Sequence, residues 1–207
     1  MSDRRLTFGL ALANALWTIA LVAAPLSLAA GTVVGLDGSA NHIDHADAWS
    51  ALPVLARVVY TIGDLNCHQI ASRSWELGGN QIPVDVRMFA AFLTANAGFA
   101  LALVRPARWR LRDAVALHAP RTLQGRLDSS GRRLAALASL WALAVLPALV
   151  DVLIQLFTRY ESTNRVRFLT GGLSGLIGAF LIGLLVRCLM VEPARRSVAS
   201  PQDHADG

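Results

Sequence analysis

The residues that could carry chemistry lie in two polar runs, each beside an apolar segment. The first run has Cys-His-Gln at 67–69, Arg-Ser at 73–74 and Pro-Val-Asp-Val-Arg at 83–87. The second has Asp151, Glu-Ser-Thr-Asn-Arg at 161–165 and Thr-Gly at 170–171. Thiols, imidazoles and carboxylates ligate metals or move protons, and guanidinium groups bind anions. The two runs therefore predict one site if the fold brings them together.

Three residues of the first run have the chemistry of metal ligands. Cys67 and His68 offer a thiolate and an imidazole, and Asp85 offers a carboxylate as a third ligand. Such a set suits a transition metal such as zinc, the cofactor that this interpretation implies. The alternative is structural, with a buried thiol, a histidine that forms hydrogen bonds at a helix end, and a solvated loop. Further possible ligands lie in the same loop: His42, Asp44, His45 and Asp47.

Arginines expected at the outer membrane face predict an anion site. A guanidinium group binds phosphate through two parallel hydrogen bonds. We assign this role to Arg73, Arg87 and Arg165, which would hold a lipid phosphate or another anion at headgroup level. The other arginines of this face are expected to snorkel to the interface: Arg57, Arg159 and Arg167.

Asp151 is a carboxylate within an apolar segment. Such a group costs several kcal/mol unless it is paired or hydrated. Its expected partner is Arg73, Arg87 or Arg165. The pair would then be a structural lock between the last two spans and the outer loop. The functional interpretation is a proton or cation site, or catalysis with Asp151 or His68 as general base.

Four apolar segments must position these residues. They cover 10–34, 88–104, 134–157 and 168–186, in a chain that is 54% hydrophobic and 16% charged. A helix of about 20 apolar residues crosses the hydrocarbon core of a bilayer. We therefore predict an all-α integral membrane protein, a four-helix transmembrane bundle. The apolar stretch at 51–62 is too short to span and predicts an interfacial or re-entrant helix.

The first and last segments carry further signals. Residues 27–30 are compatible with signal-peptide cleavage, but a signal core has only about 7–15 residues, so an uncleaved helix is favoured. The last segment has glycines at 171, 172, 175 and 178. Small residues four positions apart allow two membrane helices to approach closely.

The arginines predict the orientation in the membrane. All 19 basic residues are Arg; residues 105–133 hold eight of them against two Asp, a net charge of +6. Residues 35–88 hold six acids against three Arg, a net charge of −3. The positive-inside rule then makes 105–133 a cytoplasmic loop and 35–87 an outer loop, with both termini cytoplasmic. Nucleic acid is not needed as a partner to explain this charge.

The domain organisation follows from the spans. We predict one transmembrane domain over 1–187 and a disordered cytoplasmic tail over 188–207. The Lys-free, Ala-, Leu- and Arg-rich composition is typical of bacteria, and the expected location is the inner (plasma) membrane. Cys67 and Cys188 fall on opposite sides of the membrane in this topology, so no disulfide is expected.

Over residues 50–185 the two polar runs, in order and flanked by spans, resemble the domain-of-unknown-function 2085 family of membrane proteins. The resemblance rests on the Cys-His-Gln, Pro-Val-x-x-Arg, Glu-Ser-Thr-Asn-Arg and Thr-Gly motifs quoted above. It implies no particular activity. The family pattern has two further cysteines around the Arg after Pro-Val, where this chain has Asp85 and Met88. That departure argues against an all-thiolate metal site or a dithiol redox centre.

Three functional hypotheses follow. The first is an outer-face site that binds a metal or an anionic group. The second is a membrane enzyme that acts on a lipid or polyprenyl phosphate. The third is a non-catalytic accessory subunit, or a small transporter, with a membrane-protein partner. The absence of an internal repeat disfavours an alternating-access carrier. Membrane lipids are partners in all three, and the sequence specifies no oligomeric state.

Overall fold

The computed structural model describes residues 3–39 and 41–199, the last eight by their backbone alone. Four helices in this part are long and apolar enough to cross a membrane, which confirms the predicted fold class. The short strands β1 (Glu76–Leu77) and β2 (Asn80–Gln81) form a hairpin in the loop after the first helix. The helices are α1 (Asp3–Leu26), α2 (Ala46–Ser50), α3 (Val54–Asn66), α4 (Val86–Val104), α5 (Leu111–His118), α6 (Arg121–Gln124), α7 (Ser130–Phe157) and α8 (Asn164–Ala199).

Helix α1 lies earlier in the chain than the predicted first span. It begins at Asp3 and ends at Leu26, whereas the apolar segment continues to residue 34. Pro25, next to the last helical residue, cannot donate a backbone hydrogen bond, and the positive φ angles of Gly31 (81°) and Gly35 (65°) are not helical. Residues 27–36 instead pack into the outer loop, where Val33 is buried.

Helix α8 is longer than the predicted fourth span. It continues to Ala199, so the backbone of residues 188–199 is helical where the sequence predicts a disordered tail. Leu, Met, Ala and Arg, which are strong helix formers, make up half of this stretch, so it can extend the helix. The rest of the predicted tail, residues 200–207, lies outside the described residues.

The outer loop contains helix α3, close to the apolar stretch at 51–62. It begins after Pro53, whose φ angle of −54° suits a helix start, and ends where the Cys67 amide donates to the Gly63 carbonyl. Inside the loop, Trp49 stacks on Tyr60 with ring centroids 5.1 Å apart. The position of α3 relative to the bilayer stays a prediction.

Helices α4 and α8 run parallel and in direct backbone contact. A Cβ atom at Gly171 would lie 2.1 Å from the Arg87 carbonyl oxygen, and one at Gly175 would lie 2.1 Å from that of Ala91. From the other side, a Cβ at Gly98 would lie 2.2 Å from the Leu176 carbonyl oxygen. The predicted close approach is therefore confirmed at Gly171 and Gly175 but not at Gly178, where a Cβ would meet nothing within 4 Å.

The two ends of the bundle carry different parts of the chain. At one end the Arg187 guanidinium donates to the Asp3 carboxylate at 2.9 Å and to the Arg105 carbonyl at 2.7 Å. The start of α1, the basic loop and the second half of α8 therefore lie together. At the other end Arg87 of α4 pairs with Asp151 of α7. This threading agrees with the predicted topology, and the assignment of sides stays a prediction.

Replacement of Gly175 by Ala tests the α4–α8 contact. We expect Gly175→Ala to lower the free energy of unfolding by about 1–3 kcal/mol, because the new methyl group would overlap the Ala91 carbonyl oxygen. The matched control is Gly178→Ala, since a Cβ there would meet nothing within 4 Å. Thermal unfolding in detergent micelles measures both. Equal stability of the two variants would contradict the close contact.

Candidate functional site

A pocket of about 470 Å³ opens at the end of the bundle where α4 begins and α7 ends. Residues from both polar runs line it, so the fold does bring the two runs together. Its wall contains an imidazole, three guanidinium groups, a carboxylate, an amide and two apolar side chains. The lining residues are His68, Arg73, Asp85, Arg87, Val152, Gln155, Leu156 and Arg167.

Cys67 and Asp85 stabilise the backbone beside this pocket. The Asp85 carboxylate caps α4 by accepting a 2.7 Å hydrogen bond from the Met88 amide. The Cys67 sulfur in turn accepts a hydrogen bond from the Asp85 amide at 3.2 Å. Burial, and then the negative charge of Asp85, raise the pKa of the Cys67 thiol, so the thiol form is favoured. The two side chains therefore fix where α4 begins.

The predicted metal ligands do not assemble into a metal-binding cluster. Within residues 3–39 and 41–191, no group of three or more His, Cys, Asp or Glu side chains could hold a metal ion. Cys67 is buried and does not line the pocket, whereas His68 does, with its Nδ1 3.3 Å from the Gly38 carbonyl oxygen. The Cys67 thiol and the Asp85 carboxylate instead accept hydrogen bonds from backbone amides. Metal binding through this set stays a prediction.

The histidine-rich stretch at 42–47 folds around a buried carboxylate that the sequence analysis did not single out. Asp64 is completely buried and accepts hydrogen bonds from the Trp49 indole at 2.8 Å and the His45 amide at 3.0 Å. The His42 imidazole lies 3.8 Å from Asp44, in an exposed position. The amide and indole hydrogen bonds give Asp64 a structural role in the outer loop.

Asp151 is buried and forms an ion pair with Arg87, one of its three predicted partners. Arg87 also donates to the Ala148 carbonyl oxygen at 3.1 Å. Gln155, one turn further along α7, donates to the Asp151 carboxylate at 3.0 Å. The pair joins α4 to α7, the second and third spans, whereas the structural interpretation expected a lock between the last two spans and the outer loop. A role for Asp151 or His68 as general base stays a prediction.

Two arginines of the pocket share one carboxylate. The Glu161 Oε1 atom lies 3.4 Å from Arg73 Nε and 3.6 Å from Arg167 Nη2. Arg167 also donates to Asn164 Oδ1 at 3.2 Å and to Gln155 Oε1 at 3.4 Å. Glu161 is 59% exposed, whereas Arg167 is 4% exposed. The Glu161 carboxylate is thus solvent-exposed and held by long contacts. The Arg167 guanidinium group, in contrast, is buried and held in place by its hydrogen bonds.

The structure corrects the assignment of two arginines. Arg165, the predicted anion ligand, is exposed and does not line the pocket. Arg167, which was expected to snorkel, is buried and does line it. Two positions along a helix correspond to a rotation of about 200°, so the two side chains point to opposite faces of α8. The sequence pattern places both near the outer face but does not choose between them.

The sequence analysis assigned no role to Gln155, which lines the pocket, or to Glu161, which contacts two arginines of its wall. A signal for Gln155 was available, because it follows Asp151 by four residues in a helical segment, and such residues are neighbours on a helix surface. No local signal identifies Glu161. Its contact partners Arg73 and Arg167 are 88 and 6 positions away in the sequence, and the contacts depend on the tertiary fold.

The family model described as "Predicted membrane protein (DUF2085)" matches residues 67–181 of this chain, more than half of its length. The chain belongs to this family. The DUF2085 match begins at Cys67 and contains all the residues that line the pocket. No curated protein and no solved structure matches the chain.

A double-mutant cycle tests the ion pair between α4 and α7. Arg87→Met or Asp151→Leu alone is expected to lower the free energy of unfolding by about 3–5 kcal/mol, because each leaves a buried charge without its partner. The double variant is expected to lower the free energy of unfolding by less than the sum of the two single effects. Thermal unfolding in detergent measures the coupling, with exposed Arg165→Met as control. Additive losses would contradict the pair.

Proposed function

We propose that the protein binds a phosphate-type anion in this pocket, as a membrane-embedded binding protein. The observation that carries the proposal is the pair of guanidinium groups, Arg73 and Arg167, that share the single exposed carboxylate of Glu161. The shared carboxylate leaves this side of the pocket with one positive charge in excess. A phosphate offers several acceptor oxygens and suits two guanidinium groups at once.

The pocket wall holds two further charged groups, Arg87 and Asp85. Arg87 is paired with Asp151, and the Asp85 carboxylate accepts from the Met88 amide at the start of α4. The positive end of the helix dipole offsets part of the Asp85 charge. The contacts of Glu161 are 3.4 and 3.6 Å, longer than the roughly 2.7–2.9 Å of a good charged hydrogen bond. An incoming anion can therefore displace Glu161 at little cost.

The apolar part of the pocket favours an amphiphile as the carrier of the phosphate. Val152 and Leu156 line the pocket and are 48% and 71% exposed on α7, a candidate membrane span. Exposed apolar side chains at the end of a span face lipid. A lipid or polyprenyl phosphate would contact these side chains and the arginines together. Free phosphate would use the arginines alone.

We place the pocket on the outer face of a bacterial inner membrane, with both termini in the cytoplasm. Support comes from the eight arginines of residues 105–133, which belong to the same end of the bundle as Asp3 and Arg187. The pocket lies at the opposite end. Fusion of a reporter enzyme to each terminus tests the orientation, and an active periplasmic reporter at either terminus would contradict it.

Loss of one guanidinium group tests the anion site. We expect Arg73→Gln to weaken binding about tenfold, because one charged hydrogen-bonding partner is lost. Isothermal titration calorimetry in detergent, with inorganic phosphate and with a short-chain phosphatidic acid as separate ligands, measures the change and distinguishes the two sources. Tighter binding of phosphatidic acid supports a lipid ligand.

The matched control for this experiment is Arg165→Gln. Both residues are outer-face arginines, but Arg165 does not line the pocket. Its replacement is expected to leave both affinities unchanged. If the two variants lose affinity equally, or if the wild-type protein binds neither ligand, the proposed function is wrong.

Removal of the competing carboxylate should have the opposite effect. We expect Glu161→Gln to strengthen anion binding several-fold, because the anion no longer displaces a negative charge from Arg73 and Arg167. The control is Glu76, an exposed glutamate of the loop 35–87 that does not line the pocket, replaced by Gln. The same titrations apply. Weaker binding by Glu161→Gln would mean that the carboxylate supports the site rather than competes for it.

A further inference from the structure

An apolar groove of about 450 Å³ lies at the other end of the bundle, between α5, α6 and the first half of α7. Almost all of its surface is apolar. Ala136 and Leu143 of α7 both line it, so it follows that helix for about 10 Å. Because α7 is a candidate span, the groove extends from the basic loop into the depth of the membrane.

A polar pocket of about 430 Å³ adjoins this groove. Leu127 lines both, so the apolar groove and the polar pocket are neighbours. Arg108 and Arg133 line the polar pocket together with Trp109, an aromatic residue of the kind found at membrane interfaces. Arg126 lines the groove. We call these two neighbouring cavities together the cleft; one is apolar and the other is lined by arginines.

Among the residues with described side chains, the acids of this region do not balance its arginines. Within residues 105–133 both acids are used, since Asp113 pairs with Arg133 at 3.0 Å and Asp128 pairs with Arg132 at 2.8 Å. In the part of the chain that the structure describes, the other six arginines of this segment have no carboxylate partner: Arg105, Arg108, Arg110, Arg112, Arg121 and Arg126.

We propose that the cleft binds one anionic phospholipid of the adjacent leaflet. One acyl chain occupies the apolar groove along α7, and the phosphate lies among Arg108, Arg126 and Arg133. Charge complementarity and the position at the end of a span select this occupant. A soluble anion has no apolar part for the groove, and a neutral lipid would leave the six arginines without a counter-charge. This site is separate from the pocket at the opposite end.

Native mass spectrometry of the protein in detergent tests the proposal. The probes are phosphatidylglycerol, which is anionic, and phosphatidylcholine, which is zwitterionic, with matched acyl chains. We expect the wild type to retain phosphatidylglycerol preferentially. Arg108→Gln/Arg126→Gln is expected to lower that retention about tenfold, through loss of two charged contacts. Both side chains are exposed, so the variant is expected to fold.

The charge control is Arg4→Gln/Arg5→Gln. It removes two exposed arginines from the same end of the bundle but not from the cleft. It is expected to leave retention unchanged. If both double variants lose phosphatidylglycerol equally, binding is only general attraction to a basic surface, and the proposed site is overturned.

The groove control uses two alanines of α7. Ala136 lines the groove, whereas Ala138 is exposed and does not. Ala136→Phe is expected to fill the groove and lower phosphatidylglycerol retention, and Ala138→Phe is expected to leave it unchanged. Unchanged retention in Ala136→Phe would show that no acyl chain enters the groove and would overturn the proposal. Thermal unfolding checks that each variant is folded.

Discussion

The arrangement of the pocket lined by Arg73, Arg87 and Arg167, called the outer pocket below, depends on the backbone contact between α4 and α8. Without a side chain at Gly171, the α8 backbone reaches the carbonyl oxygen of Arg87, at the start of α4. Membrane helices gain little from apolar contact alone, because lipid is equally apolar, so close backbone packing takes its place. The contact fixes the position of Arg87 along the bundle. It also fixes that of Arg167, which lies one helical turn before Gly171, so both side chains reach the pocket.

Two ion pairs join the membrane-spanning helices, one near each end of the bundle. Asp151 lies in α7, where an unpaired carboxylate would be costly, and Arg87 is its ion-pair partner. Arg187 in α8 pairs with Asp3 and with carbonyl groups at the end of α4. Each pair joins two helices, and each lies near one end of the bundle. The interior between them is held by small residues and by polar contacts such as Asn14 with Asn96 at 3.0 Å.

The two ends of the bundle differ in how their arginines are balanced. At the outer pocket three carboxylates accompany three guanidinium groups, and the imbalance is local, around Glu161. At the basic end two acids accompany eight arginines. A small local excess suits one discrete anion, whereas a large excess beside a long apolar groove suits a lipid. The two proposed sites thus follow from different physical features of one chain.

The sequence by itself determined the spans, because the length and hydrophobicity of a segment decide whether it can cross a bilayer. It also determined that the polar runs around Cys67 and Asp151 share one end, because the number of spans between them fixes the side. Segment ends were less predictable: α1 ended at Leu26, next to Pro25, before the apolar segment did, and α8 continued past its apolar segment. The resemblance to the DUF2085 family was confirmed by the family match.

Only the tertiary structure decided which side chains meet. The choice of Arg167 over Arg165 depends on the rotation of α8 about its axis, which its packing on α4 sets. The choice of Arg87 as the partner of Asp151 depends on the distance between α4 and α7. The use of Cys67 and Asp85 as backbone acceptors depends on how the outer loop folds onto the start of α4. The sequence specifies which chemical groups are present. The distances between those groups depend on packing between segments that are far apart in the chain.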